Sequence, residues 1–128
     1  MKIAVVGSRQ VLDEPVIQEV LDTYLGKMTV LITGGAKGVD TLAERWARKN
    51  DIPVEVYLPD WKNLGKAAGI VRNRAMVLEC QECIAFWDGI SKGTKSTIDM
   101  CKKQNKPVVV FTVETSAEKP SEDERFPQ

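Results

Sequence analysis

The amino-acid sequence predicts an α/β fold in which a parallel sheet is wound on both faces by helices. Three observations carry this. Short, continuously apolar runs (Lys2–Val6, Thr29–Thr33, Val54–Leu58, Glu82–Trp87, Pro107–Val113) recur along the chain. Between them lie stretches of ten or more residues with helical periodicity. Several strands also run into glycines just before the next helix begins. Strands that are apolar throughout are buried on both faces, which requires parallel pairing under helices. Right-handed crossovers leave few layouts, and the expected strand order is 3-2-1-4-5, a three-layer, Rossmann-like, doubly wound sheet.

Each element has a local reason. Lys2–Val6 is the first strand, and it leads into Gly7-Ser8-Arg9. Pro15 then opens a helix to about Leu25, with Val16, Ile17, Val20, Leu21 and Tyr24 on one stripe and Gly26 as terminator. After Thr29–Thr33 comes Gly34-Gly35-Ala36-Lys37-Gly38, then a helix to about Asn50 with Val39, Leu42, Ala43, Trp46 and Ala47 on one face. Val54–Leu58 is followed by a longer loop from Pro59. A third helix is expected over Lys66–Glu79, with Ala67, Ile70, Val71, Ala75 and Leu78 as its apolar stripe. Met76 and Val77 are left over and point to a homodimer or higher homo-oligomer contact. Glu82–Trp87 leads into Asp88 to Ser96, a fourth helix runs from about Thr94 to Asn105, and Pro107–Val113 is the last strand.

Composition narrows the function classes. The chain has 128 residues, 43% hydrophobic and 28% charged, as for one ordinary globular domain over residues 1–113. Its formal net charge is zero, which argues against nucleic acid as a partner. From Glu114 onward there are five acids and two bases, so this segment reads as an acidic, flexible tail and leaves the body mildly basic. No apolar run approaches membrane-spanning length and the first strand starts at once. No membrane partner and a cytoplasmic location are therefore expected. Histidine is absent, which excludes imidazole as base, nucleophile or metal ligand. Cys80 and Cys83 have zinc-like spacing, but Cys101 is the one further cysteine where a structural site needs four ligands. Reduced, buried thiols, no metal and no cofactor are expected.

The chemistry concentrates at the glycine loops. A strand that enters glycines and then a helix start presents unpaired N–H groups and a positive dipole end, which suits a phosphate. In the first loop Ala36 stands where the second glycine of a dinucleotide fingerprint would be. Its glycines serve either ligand approach or a tight turn, with Asp40 in the first helical turn. The second loop lacks the Gly-Lys-Ser/Thr triplet of a P-loop, which leaves an anion nest or a solvated helix cap. The candidate ligand-binding residues are Gly7, Ser8, Arg9, Gly34, Gly35, Ala36, Gly38, Asp40, Arg72, Asn73, Trp87, Asp88, Gly89, Ser91, Lys92, Gly93 and Thr94. Arg9 can hold a phosphate or pair with Asp13 or Glu14. Trp87, beside the second loop, is preferred over Trp61 for stacking on a base, since Trp61 can equally pack on the third helix. Asp88 and Arg72 are the catalytic candidates, and Asp60 and Asp88 can instead cap turns.

Taken together, Gly7-Ser8-Arg9, Ile32 to Ala47 (ITGGAKGVDTLAERWA), Pro59 to Met76 and Ile84 to Thr94 resemble the YspA/YpsA-related branch of the SLOG superfamily. The resemblance covers about residues 1–112. It implies a site for a nucleotide or nucleotide-derived small molecule, since relatives include LOG-type phosphoribohydrolases, DNA-processing proteins and sensors of nucleotide-derived signals. Arg72 and Met76 match the hydrolases' Arg and Met, and Gly93-Thr94 matches their Gly-Thr. Where those enzymes carry a catalytic glutamate this chain has Thr97, and Trp87-Asp88-Gly89 replaces their opening prolyl-glycine run. A threonine cannot supply a carboxylate to an oxocarbenium-like transition state. Binding or sensing is therefore the leading expectation, and a nucleotide N-glycosidase using Asp88, or Asp99, is the alternative.

Overall fold

The computed structural model describes residues 1–11 and 13–113. The segment expected to form an acidic tail lies outside these residues. The elements are β1 (Lys2–Gly7), α1 (Glu14–Asp22), β2 (Val30–Thr33), α2 (Val39–Lys49), β3 (Val54–Val56), α3 (Trp61–Leu64), α4 (Ala68–Glu79), β4 (Glu82–Trp87), α5 (Lys92–Lys103) and β5 (Val108–Thr112). A 3₁₀ turn, Gly65–Ala67, links α3 to α4. All strands pair in parallel in the order β3-β2-β1-β4-β5, the doubly wound topology expected from the sequence.

Period-two alternation along the central strands divides the core into two layers. Ile3 and Val5 of β1, Leu31 of β2, and Ile84 and Phe86 of β4 face one side, where they pack with Ile17 and Leu21 of α1 and Leu42, Ala43 and Trp46 of α2. Ala4 and Val6, Ile32, and Cys83 and Ala85 face the other, against Met76 and Val77 of α4 and Ile98 and Cys101 of α5. The indole of Trp46 is almost fully buried, and its Nε1 donates to Asp22 Oδ1 at 2.9 Å, tying α2 to the end of α1. Cys80, Cys83 and Cys101 are free and buried.

Two helices depart from the periodicity reading. The helix expected from Lys66 starts instead at Ala68, behind the 3₁₀ turn, and the loop expected from Pro59 contains the one-turn helix α3. Asp60 caps α3 by accepting from Asn63 N–H at 3.2 Å, and Gly65, at φ +55°, stops it after one turn. The orientation of α4 is also the reverse of the expected one. Met76 and Val77, read as leftover contact residues, are buried in the core, whereas Ile70, Val71 and Leu78 are exposed. Both stripes are apolar, so periodicity alone cannot choose between them. Arg72 chooses: its Nη1 donates to the Gly34 carbonyl at 2.7 Å and the Tyr57 carbonyl at 3.2 Å. Residues one turn either side, Ala68 and Met76, then face inward with it, as does Cys80.

Phe86 is fully buried and stacks on Phe111, with ring centroids 5.6 Å apart. Phe86→Ala is expected to cost about 3–5 kcal/mol of unfolding free energy, read from urea denaturation, through lost burial and a cavity at the sheet centre.

Candidate functional site

The chain leaves β1 toward β2 on one side and leaves β4 toward β5 on the other. The crevice beyond the carboxyl ends of β1 and β4 is the switch point where ligands of doubly wound sheets bind. A cavity of about 650 Å³ opens there. Gly7 forms part of its wall because nothing larger fits. A Cβ at this position would lie 2.5 Å from a Val39 methyl carbon and 2.7 Å from the Phe86 carbonyl oxygen. Ser8 is buried, its N–H donates to that carbonyl at 3.2 Å, and its Oγ accepts from Asp88 N–H at 3.3 Å. This pair of bonds holds the ends of β1 and β4 together below the cavity.

The second glycine loop is built around Asp88. Its Oδ1 accepts from the N–H groups of Ile90 (2.9 Å) and Ser91 (2.7 Å), and its Oδ2 accepts from the Ser91 hydroxyl (2.9 Å). Desolvation alone would push this carboxyl up, but these donors, with the Ser8 hydroxyl, hold it below its ordinary value. Asp88 is therefore an ionised turn organiser, and it does not line the cavity. Because the Ser91 hydroxyl is spent on Asp88, no side chain caps α5. The N–H groups of its first turn open onto the cavity beside Lys92, Gly93 and Thr94. A Cβ on Gly93 would meet nothing within 4 Å. The Thr94 side chain is 6% exposed, and its hydroxyl has no hydrogen-bond partner among the described residues. Thr97 is buried and its Oγ1 donates to the Gly93 carbonyl at 3.1 Å.

The first loop is filled from within. A Cβ on Gly34 would lie 2.6 Å from Arg72 Nη1, and one on Gly35 would lie 2.9 Å from side-chain atoms of Leu58 and Val56. On Gly38, at φ +77°, it would lie 2.5 Å from the Arg9 carbonyl oxygen. These glycines admit the protein's own groups. At the start of α2 no side chain caps the helix, but Asp40 puts a carboxylate in the first turn, and its Oδ2 accepts from the loop N–H of Ala36 at 3.1 Å. Asp40 is buried, and desolvation raises its pKa although Ala36, the Arg72 charge, Gly34 and Thr33 pull the other way. Burial lowers the pKa of Arg72, against the pull of Asp40. Its Nε donates to Asn73 Oδ1 at 2.8 Å, so the neighbouring Asn73 orients the guanidinium.

Of the residues singled out from the sequence, Gly7, Ser8, Arg9, Gly34, Ala36, Asp40, Arg72, Asn73, Ser91, Lys92, Gly93 and Thr94 line this one cavity. Gly35, Gly38, Trp87, Asp88 and Gly89 do not. Trp87 packs against the core, and its Nε1 donates to the Ser91 carbonyl at 3.0 Å, so its indole supports the loop from behind. The aromatic residue on the cavity is Trp61, 57% exposed, beside Lys66 and Ile70. Its sequence signal was the Asp60 cap, which turns the chain back over α4. Asp99, the other carboxylate weighed for hydrolysis, is exposed and paired with Lys95 at 3.0 Å.

This arrangement, a crevice at the switch point of a doubly wound sheet with glycine loops on both sides, defines a Rossmann-like domain. The chain belongs to the YspA, cpYpsA-related SLOG family, whose model matches residues 1–64. It is 34% identical over 119 residues to the Gene 61 protein of Mycobacterium phage D29, covering 86% of this chain and 95% of that protein. In fold it is similar to DNA processing protein A from Streptococcus pneumoniae (TM-score 0.73, 22% identity), covering 85% of this chain and 49% of that one. It is also similar to DNA processing protein A from Helicobacter pylori, described by its single-stranded DNA binding mode (TM-score 0.70, 19% identity; 86% and 64%). This chain thus spans only about half to two-thirds of those proteins. The expectation against a nucleic-acid partner is overturned by this likeness. Its charge argument failed because net charge sums the whole chain, whereas Arg9, Lys66, Arg72 and Lys92 face a cavity that Asp40 alone of the described acids lines. No helix among the described residues is long and apolar enough to cross a membrane.

Two stability predictions follow from this geometry. Gly38→Ala, strained in both φ and contact, is expected to lose about 1–3 kcal/mol by urea unfolding, whereas Gly93→Ala gains up to about 1 kcal/mol from helix propensity. Because the Asp40 pKa is raised on folding, the native state binds more protons than the unfolded chain just above pH 4, the ordinary carboxylate value. Native stability falls there as pH rises, and the cost is complete once the folded carboxyl has ionised. Asp40→Asn is therefore expected to raise the thermal midpoint at pH 7, with a gain that shrinks toward pH 4. A midpoint below the wild type at pH 7 would contradict this account.

Proposed function

We propose that this protein binds a nucleotide or nucleotide-derived small molecule in the switch-point cavity, with its phosphate on the N-terminus of α5. The observation that carries the reading is the uncapped first turn of α5. A buried, unpartnered Thr94 hydroxyl and the open face of Gly93 lie together there, where close approach costs nothing. Lys92 and Arg9 add charge at the rim, and Trp61 offers an aromatic face for a base. Hydrolysis by Asp88 finds no support, because that carboxylate is spent on its own loop.

A second reading has an observation of its own. Trp61, exposed at the mouth beside Lys66, suits a stacked base of a single strand whose backbone continues past the cavity. The single-stranded DNA binding described for the Helicobacter pylori protein favours the same idea.

Calorimetric titration against mononucleotides, cyclic dinucleotides, ADP-ribose and short single-stranded DNA separates the two. A small-molecule site is expected to bind free nucleotides, and Lys92→Ala, Arg9→Ala and Gly93→Ala are each expected to weaken binding about tenfold or more. A strand-binding site instead prefers oligonucleotides, with affinity falling linearly in log salt at about −0.7 per phosphate contacted. Silence across the panel at millimolar ligand overturns both.

A further inference from the structure

The two helix N-termini that open on the cavity are chemically opposite. The start of α5 carries backbone N–H groups, Lys92 and a free hydroxyl, with no carboxylate of its own facing the cavity. The start of α2 carries Asp40, 6% exposed, among the lining residues. Asp40 Oδ2 accepts from Ala36 N–H at 3.1 Å, and the Gly34 N–H and Thr33 hydroxyl also stabilise the carboxylate, which still leaves part of its four lone-pair sites open. Arg72 does not consume that capacity. Its Nη1 serves two backbone carbonyls and its Nε serves Asn73, and it forms no salt bridge to Asp40. A phosphate placed against Asp40 would meet a desolvated like charge, so the anionic end of a ligand is driven to α5.

We infer that Asp40 is a specificity-determining residue that accepts a hydrogen bond from a neutral donor, a sugar hydroxyl or a base amino group, at the end of the ligand away from its phosphate. The inference rests on the nucleotide-binding reading above and adds polarity to it. The cavity then has a phosphate pole at α5 and a donor-reading pole at α2. Burying a carboxylate at a ligand site costs stability, and that cost is returned as selectivity when the ligand supplies the missing donor. An analogue without the donor leaves the buried acceptor unpaired and is rejected.

The test compares AMP and GMP with their 2′-deoxy and 3′-deoxy forms and with purine riboside 5′-monophosphate, which lacks the exocyclic amino group, by calorimetry on the wild type and Asp40→Asn. Inorganic phosphate serves as the probe of the α5 pole. The wild type is expected to prefer a parent nucleotide over at least one donor-deleted analogue by about tenfold or more. Loss to the deoxy forms identifies a hydroxyl, and loss to purine riboside 5′-monophosphate identifies the amino group. Asp40→Asn keeps one acceptor oxygen but loses the charge and the second, so it is expected to reduce that preference severalfold while binding inorganic phosphate tighter. Equal wild-type affinity for every analogue, or a preference undiminished in Asp40→Asn, overturns the role of Asp40 and leaves nucleotide binding standing. Failure of the wild type to bind any nucleotide or phosphate overturns both. The wild-type comparison needs no variant, so a poorly folding Asp40→Asn would not rescue the inference.

Discussion

The reach of Arg72 across the carboxyl edge of the sheet is the contact on which the rest of the site depends. One nitrogen, Nη1, holds the carbonyls of Gly34 and Tyr57, which lie just beyond β2 and β3. The guanidinium also fills the space over Gly34 that any side chain there would need. These bonds set the rotation of α4 about its axis, bring Met76 and Val77 into the core and leave Ile70 and Val71 outside. They also place a positive charge near Asp40 without neutralising it by contact. A half-buried arginine with two of its three nitrogens committed to protein acceptors is a fixed wall of the cavity, because moving it would strand buried carbonyls.

The two glycine loops look alike in composition and do different jobs. In the first, Gly34 and Gly38 make room for protein groups, and Asp40 sets a negative charge in the first turn of α2, where an anion would otherwise be drawn. In the second, the crowding is absent: Gly93 faces open space, and Asp88 draws the Ser91 hydroxyl away from the cap. The difference lies in which side-chain oxygen reaches which N–H group. A carboxylate at α2 answers an N–H of its own loop, whereas the carboxylate near α5 ties up the turn before the helix and leaves the helix end open.

Buried polar groups cluster where the strands end. Ser8, Thr33, Asp40, Thr94 and Thr97 are all nearly inaccessible, and all but Thr33 line the cavity. A core built for stability alone would place apolar residues there, since a buried hydroxyl or carboxylate must recover its lost hydration through hydrogen bonds. Ser8, Thr33 and Thr97 do so within the protein. Thr94 does not, and Asp40 does so only in part. The unsatisfied remainder is concentrated at one place, as expected where a ligand completes the bonding.

What the sequence determined by itself was the topology and, through it, the place of the switch-point crevice. Apolar strands separated by helical stretches dictate parallel pairing, and parallel pairing with right-handed crossovers dictates the 3-2-1-4-5 order; glycines at strand ends then mark the crevice. These are local patterns and survive without knowledge of the neighbours. The tertiary structure alone decided which of two apolar stripes on α4 faces inward, which tryptophan reaches the cavity, and which of the candidate carboxylates is available there. Each of those outcomes depends on an interaction between residues far apart in sequence: Arg72 with the carbonyls of Gly34 and Tyr57, the loop that holds Trp87 with Ser8, and Asp40 with the charge of Arg72. Periodicity and spacing describe one segment at a time, so they cannot say which partner a side chain will meet when two segments fold together.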